Sequence, residues 1–170
     1  MAGIKIDIDD SVGQAKLRAL ERALANPRPM YAAIGRVLVN RIRLCFRLGV
    51  DPWGTPWLPL KLRKGQPLRD TGRLANSVSA QASADDVVVG TNVRYAATHQ
   101  FGATITPKKA GGRLVFKGPN GTVIFAKKVV VPARPFMPLR SYGGPPALPP
   151  AWSLAASQAI KAYLQGLAKE

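Results

Sequence analysis

Apolar residues recur with a helical period over two stretches early in the chain, then give way to short alternating runs. Leu17, Leu20 and Leu24 form one apolar stripe on a helix predicted over Val12–Ala25. Asp9, Asp10 and Ser11 supply its N-cap candidates, and Asn26-Pro27 ends it. Ahead of it, Ile4–Ile8 alternates apolar and polar, the pattern of a short half-exposed strand. A longer helix is predicted from Pro29 to Leu48, with Gly49 as its C-cap. Its apolar face is Ile34, Val37, Leu38, Ile42, Cys45 and Phe46. Arg36, Arg41, Arg43 and Arg47 line the other side, where they suit phosphate or acidic neighbours equally.

Beyond Gly49 the period changes. Leu74–Ala82 alternates weakly and reads as a strand, with one helical turn before it as the alternative start; Asp85-Asp86 makes a turn and Val87–Gly90 is a strand, so 76–90 reads as an antiparallel hairpin. Asn92 is placed to cap a short helix over Val93–Phe101, closed by Gly102. Ile105 begins an extended segment, and Lys108–Gly112 is a basic, glycine-rich loop. Leu114–Phe116 and Val123–Phe125 flank Asn120-Gly121, a strong hairpin signal, and Val129–Val131 is the last strand. The prolines of Pro132-Ala133-Arg134-Pro135-Phe136-Met137-Pro138 stop it. Ser141–Pro150 is a Pro/Gly-rich linker, and Ala151–Ala168 is a final helix carrying Trp152, Leu154, Ala155, Ala159, Ala162 and Tyr163.

These elements predict an α+β fold. A small, mostly antiparallel sheet packs on the long N-terminal helix, with a β-hairpin loop and a C-terminal helical extension. The expected division is one domain over 1–140, a linker over 141–150 and a helix over 151–170.

Between helices and strands lies a segment of neither type, Trp53 to Leu74. Its tryptophans, prolines and glycines make it rigid, and it cannot satisfy its backbone as helix or sheet, so it must dock. The candidate surfaces are the apolar face of the preceding helix and a neighbouring subunit. Trp57 and Leu60 are expected to dock within the subunit, and Lys61–Lys64 to project.

Composition changes this picture in one respect. With 170 residues and 46% hydrophobic content the chain can build an ordinary core, but its formal net charge is +16. From Val87 to Lys169 there are eleven Lys or Arg and no Asp or Glu. Such a stretch reads as a solvated basic face or, in better keeping with its length, as the mark of a negatively charged partner, either nucleic acid or an acidic protein surface in an assembly. The cations placed for it are Lys108, Lys109, Arg113, Lys117, Lys127 and Lys128. The single cysteine, Cys45, excludes internal disulfides and reads as a buried hydrophobe. The Asp-bearing start lacks the pattern of a secretory leader, and no apolar run approaches a membrane span, so a cytoplasmic setting is expected.

Catalytic patterns are sparse. His99 is the one histidine, and no Cys-His spacing suits zinc. Phosphate-loop and nucleophile-turn motifs are missing. Asp70-Thr71-Gly72 has the letters of an aspartic protease motif but lacks the leading apolar strand and a second Asp. Asp85-Asp86 is explained by its turn. His99 suits a packing histidine better than a proton donor at an interface. No recognition helix, aromatic RNA-binding strand or zinc finger accompanies the charge, which leaves a non-specific phosphate contact as the nucleic-acid reading.

Five blocks then carry a resemblance: Trp53 to Leu60, Leu68 to Ser77 around Arg69-Asp70-Thr71-Gly72-Arg73, Val87 to Thr91, Tyr95 to Gly102, and Pro132 to Phe136. In that order the chain resembles the virion morphogenesis and tail completion family of tailed bacteriophages, that of the Mu-like G and P2-like S proteins. The resemblance implies a structural virion protein without catalysis or cofactor. It would act at the head–tail junction as a tail completion, tail terminator or head–tail joining subunit. The implied partners are copies of itself in a ring, expected as a hexamer, together with tail tube and connector proteins, and non-specifically the packaged DNA. The implied location is the virion neck, after assembly in the host cytoplasm. The alternative is a non-specific nucleic-acid-binding protein.

The candidate contact residues are Arg134 and Phe136, with Tyr95, His99 and Trp152. Phe136 suits an anchor on a neighbouring subunit, with Arg134 as a charge-paired fork. It suits packing within its own subunit equally well.

Overall fold

The computed structural model describes residues 10–61, 64–118, 121–139 and 148–169. The strand expected at Ile4–Ile8, Asn120 of the hairpin turn and most of the 141–150 linker lie outside them. The order is α1 (Ser11–Ala25), α2 (Arg28–Leu48), α3 (Arg73–Asn76), β1 (Ser79–Ala82), β2 (Val87–Gly90), α4 (Ala96–Phe101), β3 (Ala103–Ile105), β4 (Leu114–Lys117), β5 (Val123–Ala126), β6 (Val129–Val131) and α5 (Pro150–Leu167). The architecture is α+β, as the apolar periods predict. Among the described residues the strands form three antiparallel two-stranded ladders, β1–β2, β3–β6 and β4–β5, where one small sheet was expected.

The long helix α2 is the hub and packs against β1, β2, α3 and α5. Its buried face is Gly35, Val39, Ile42, Cys45 and Phe46, close to the periodic face read from sequence. Gly35 is there for space: a Cβ would sit 2.7 Å from the Ala80 Cβ, so glycine lets the ribbon lie against the helix. At the other end Gly49 takes φ 75° and closes α2 as its left-handed C-cap. Gln66 adds a cap that no local pattern announces. Its Nε2 donates to the carbonyls of Phe46 and Arg47, both at 3.0 Å, satisfying two acceptors of the last turn.

Helix α1 corrects the sequence reading. Leu17, Leu20 and Leu24 are 62%, 47% and 72% exposed, whereas Ala19 and Ala23 are buried. The alanine side faces α5, because small side chains let two helices approach closely. Arg22 reaches the same neighbour, donating to the Leu167 carbonyl. Helix α5 packs on α2 as well as α1, and its Trp152 joins the core with Val39, Ile42, Phe46 and Phe136. Pro150 at the start of α5 costs no hydrogen bond, since the first N–H groups of a helix have no intrahelical partner. A second correction is at α4, which begins at Ala96 instead of Val93. Asn92 does not cap it; the Thr91 hydroxyl takes the Val93 N–H at 3.2 Å and turns the chain beforehand.

Candidate functional site

Two irregular segments, 78 residues apart at the Trp57–Pro135 bond, lock together beside α2. The first begins with a tight turn at Asp51, whose Oδ1 accepts the N–H groups of Trp53 and Thr55, both at 2.8 Å. This turn leaves Trp53 at the surface, while Trp57 is buried in the core. Trp57 packs edge-on against Phe46, with ring centroids 5.6 Å apart, and its Nε1 donates to the Pro135 carbonyl at 2.7 Å. The second segment answers. Arg134 Nε donates to the Leu58 carbonyl at 2.8 Å, and its Nη2 to the Pro59 carbonyl at 3.2 Å. Phe136 is 1% exposed and lies against Phe46, centroid to centroid 5.1 Å. Of the two surfaces offered to Trp53–Leu74, the structure shows docking within the subunit.

Gln100 holds the second segment from the other side. Its Oε1 accepts the N–H groups of Phe136 and Met137 at 2.9 and 3.0 Å. Its Nε2 donates to the carbonyls of Met137 and Leu139, both at 3.0 Å. A buried amide thus does the work of a neighbouring strand for a stretch whose prolines forbid one. Sequence reasoning passed over Gln100. Its one signal was a polar residue on an apolar helical face, beside a proline-rich segment in need of partners.

Next to this joint is a cavity of about 420 Å³, lined by Leu60, Leu68, Asp70, Thr71, Gly72, Arg73, Leu74, Tyr95, His99 and Arg134. It brings together residues from four of the five blocks. Asp70-Thr71-Gly72 is the turn that launches α3, with Gly72 at φ 76°. Leu68 sits in its wall at φ 60°, a left-handed conformation that costs a leucine roughly 1 kcal/mol or more. Tyr95 stacks edge-on against His99, with centroids 5.6 Å apart. Among the described residues the His99 Nδ1 is buried without a hydrogen-bond partner. Burial, and secondarily the Arg134 charge, hold the His99 pKa below the ordinary 6.5.

That shift has a testable sign. The unfolded chain takes up the His99 proton at higher pH than the folded chain does. Stability is therefore complete above about 6.5 and is lost as pH falls from there through the depressed folded value. Urea titrations at neutral and mildly acidic pH should show this loss, and His99→Gln should show less of it. Equal losses in both proteins would assign the pH dependence elsewhere.

The candidate contact residues divide between inside and outside. Arg134, Phe136 and Trp152 are buried in their own subunit, Phe136 and Trp152 because the apolar core takes them and Arg134 because it bonds two carbonyls. Tyr95 is 42% exposed and His99 half-buried at the cavity. Lys108, Lys109, Arg113, Lys117, Lys127 and Lys128 are all exposed, on the loop before β4, on the β4–β5 ribbon and just after it. Cys45 is buried, and desolvation pushes its thiol up to about 11, so it is inert. The described residues contain no group of three or more His, Cys, Asp or Glu suited to a metal. None of their helices is long and apolar enough to cross a membrane.

The sequence model of the phage virion morphogenesis family matches residues 8–143. The chain belongs to that family. Mu-like prophage FluMu G protein 2 of Haemophilus influenzae is 34% identical over 135 residues, which cover 78% of this chain and 83% of that protein. No solved structure matches. In this virion morphogenesis protein the matched span contains the whole joint, the cavity and the β4–β5 ribbon, while α5 lies beyond it. The blocks that carried the resemblance are therefore largely those that meet around Phe46, Trp57, Gln100 and Phe136.

Proposed function

We propose that this virion morphogenesis protein acts at the head–tail junction as a ring subunit that completes or terminates the tail, or joins it to the head. The observation that carries the proposal is a rigid joint combined with uncovered apolar surface. The irregular segments are locked inside the subunit by side-chain-to-backbone bonds, so the subunit is pre-organised and loses little entropy on assembly. Meanwhile β4 and β5 expose Val115, Val123 and Phe125 at 60%, 57% and 60%, and α1 exposes its leucines. Uncovered apolar strips of this kind mark contact surfaces. The role is geometric: one face meets the tail tube, another the connector, and the ring order proposed is a hexamer. No catalytic step is assigned.

The test is assembly. Purified protein mixed with tail tubes lacking it should decorate one tube end as rings in micrographs, and the decorated tubes should become competent to join heads. Tubes that remain bare at every protein concentration would remove the proposal.

A further inference from the structure

Six of the eleven cations between Val87 and Lys169 fall on one ribbon and its flanks: Lys108, Lys109, Arg113, Lys117, Lys127 and Lys128. All six are exposed. β4 and β5 pack chiefly on each other and add nothing to the buried core around α2, so the ribbon is an arm. Its register sorts the residues by face. Val115 pairs with Phe125 and Lys117 with Val123 on a face that is exposed throughout, whereas Leu114, Phe116, Ile124 and Ala126 on the other face are half-buried. One step beyond the ladder, the same alternation sets Arg113 opposite Lys127 on the exposed face. Like charges directly opposite one another destabilise a strand pair. The whole span from Val87 to Lys169 has no carboxylate to relieve them, so the relief must come from an anion outside it.

The spacing on this face suits duplex DNA. Arg113 and Lys127 sit side by side at the base of the ribbon. Lys117 lies further along β4 towards the tip, about 14 Å from Arg113 at the rise of an antiparallel strand. The major groove of DNA is about 12 Å wide and admits a two-stranded ribbon. Cations at the base and at the tip therefore reach the phosphate rows on both sides of the groove. Between them the apolar centre of Val115, Val123 and Phe125 lies over the groove floor, where thymine methyl groups are apolar contacts. A turn in which the Gly112 N–H donates to the Lys109 carbonyl at 3.0 Å keeps Lys109 beside the base of the ribbon. Lys128 directly follows Lys127 there.

Among the described residues a second copy offers no surface of that kind. Helix α1 sets Lys16, Arg18 and Arg22 against Asp10 and Glu21. The adjacent acids Asp85 and Asp86 are two against six cations, and Asp86 already accepts the Ser83 hydroxyl at 2.7 Å. We propose that the exposed face of the β4–β5 ribbon binds the phosphate backbone of double-stranded DNA. Its cations contact phosphates and its centre is apolar, so the contact carries no base-specific hydrogen bonds and is indifferent to sequence. This goes beyond the junction reading and does not depend on it. Of the two uncovered apolar strips, the ribbon goes to DNA and the leucines of α1 are left for protein contact.

Fluorescence anisotropy of a short labelled duplex of mixed sequence, titrated with the full chain between about 50 and 200 mM salt, tests this. The affinity should fall linearly on a logarithmic salt scale. Arg113→Gln, Lys117→Gln and Lys127→Gln combined should flatten that slope by about 2.7, the sum for three lost phosphate contacts. Lys16→Gln, Arg18→Gln and Arg36→Gln combined remove the same charge from exposed positions on α1 and α2, and should change the slope by less than one contact, about 0.9. Phe125→Ser should weaken binding at every salt concentration and leave the slope as it is. All are surface substitutions, and thermal melts check that each variant is folded. No binding at about 50 mM salt overturns the proposal. Equal flattening in both triple variants overturns it too, because net charge would then act wherever it is placed. A ribbon variant that keeps the wild-type slope but no longer decorates tail tubes assigns this face to a protein, which overturns the DNA contact and leaves ring assembly standing. Bare tail tubes with the expected slopes remove the junction reading and uphold this one.

Discussion

Replacing Gln100 with leucine is expected to lower the free energy of unfolding by about 3–5 kcal/mol, read by urea titration. The wild-type amide is satisfied at both ends, with two backbone N–H groups on its oxygen and two carbonyls facing its nitrogen. Leucine fills a similar volume and supplies none of these partners. The N–H groups of Phe136 and Met137 then stay buried and unpaired, and leaving such donors orphaned costs more than making the bonds contributes. Proline at 135 and 138 removes any chance that a neighbouring strand takes over. Gln100→Glu adds a distinguishing readout. When protonated it offers one acceptor and one donor, so that variant should regain stability as pH falls, opposite in sign to the His99 effect. A Gln100→Leu protein within about 1 kcal/mol of wild type would show that the clamp is dispensable.

Phe136→Ala is expected to cost a similar amount, about 3–5 kcal/mol, with Phe136→Leu milder. The ring is buried against Phe46, which also holds Trp57, so truncation opens a cavity where the two irregular segments meet. Its neighbours are fixed by backbone bonds from Trp57 and Arg134, and so have little freedom to collapse into the space. Domains of this kind are stable by only ~5–15 kcal/mol, so the variant should melt many degrees lower. Assembly should then fail because the subunit fails. A Phe136→Ala protein that melts normally yet no longer assembles would instead make the ring an anchor for a neighbour.

On the proposed assembly role, the joint and the exposed strips divide the work. The joint makes the subunit one pre-organised body, since its segments have no regular partners and borrow them from Trp57, Gln100 and Arg134. The strips stay outside because no element of the described chain covers them. Membership in the phage virion morphogenesis family fits such a division.

Much of this was legible along the chain. The apolar period of α2, its glycine cap, the hairpins at β1–β2 and β4–β5, and the stop after β6 all follow from local chemistry, because caps, turns and alternation are decided by neighbours in sequence. The exposed cations of the ribbon were equally plain. What the sequence could not decide was which apolar surface is covered. Leu17, Leu20 and Leu24 have the spacing of a buried stripe, yet α5 packs on the alanines beside them, because closeness of approach outweighed the size of the side chains. Phe136 had the form of an anchor for a neighbour or for its own core, and only the position of Phe46 settles that it is buried at home. Gln100 was invisible because its partners lie 36 to 39 residues away. Local chemistry along the chain was enough for most of the elements and for the sign of the charged surface. Tertiary structure alone decided the pairing of distant segments, since burial and hydrogen bonding between them depend on where helices and turns place them in space.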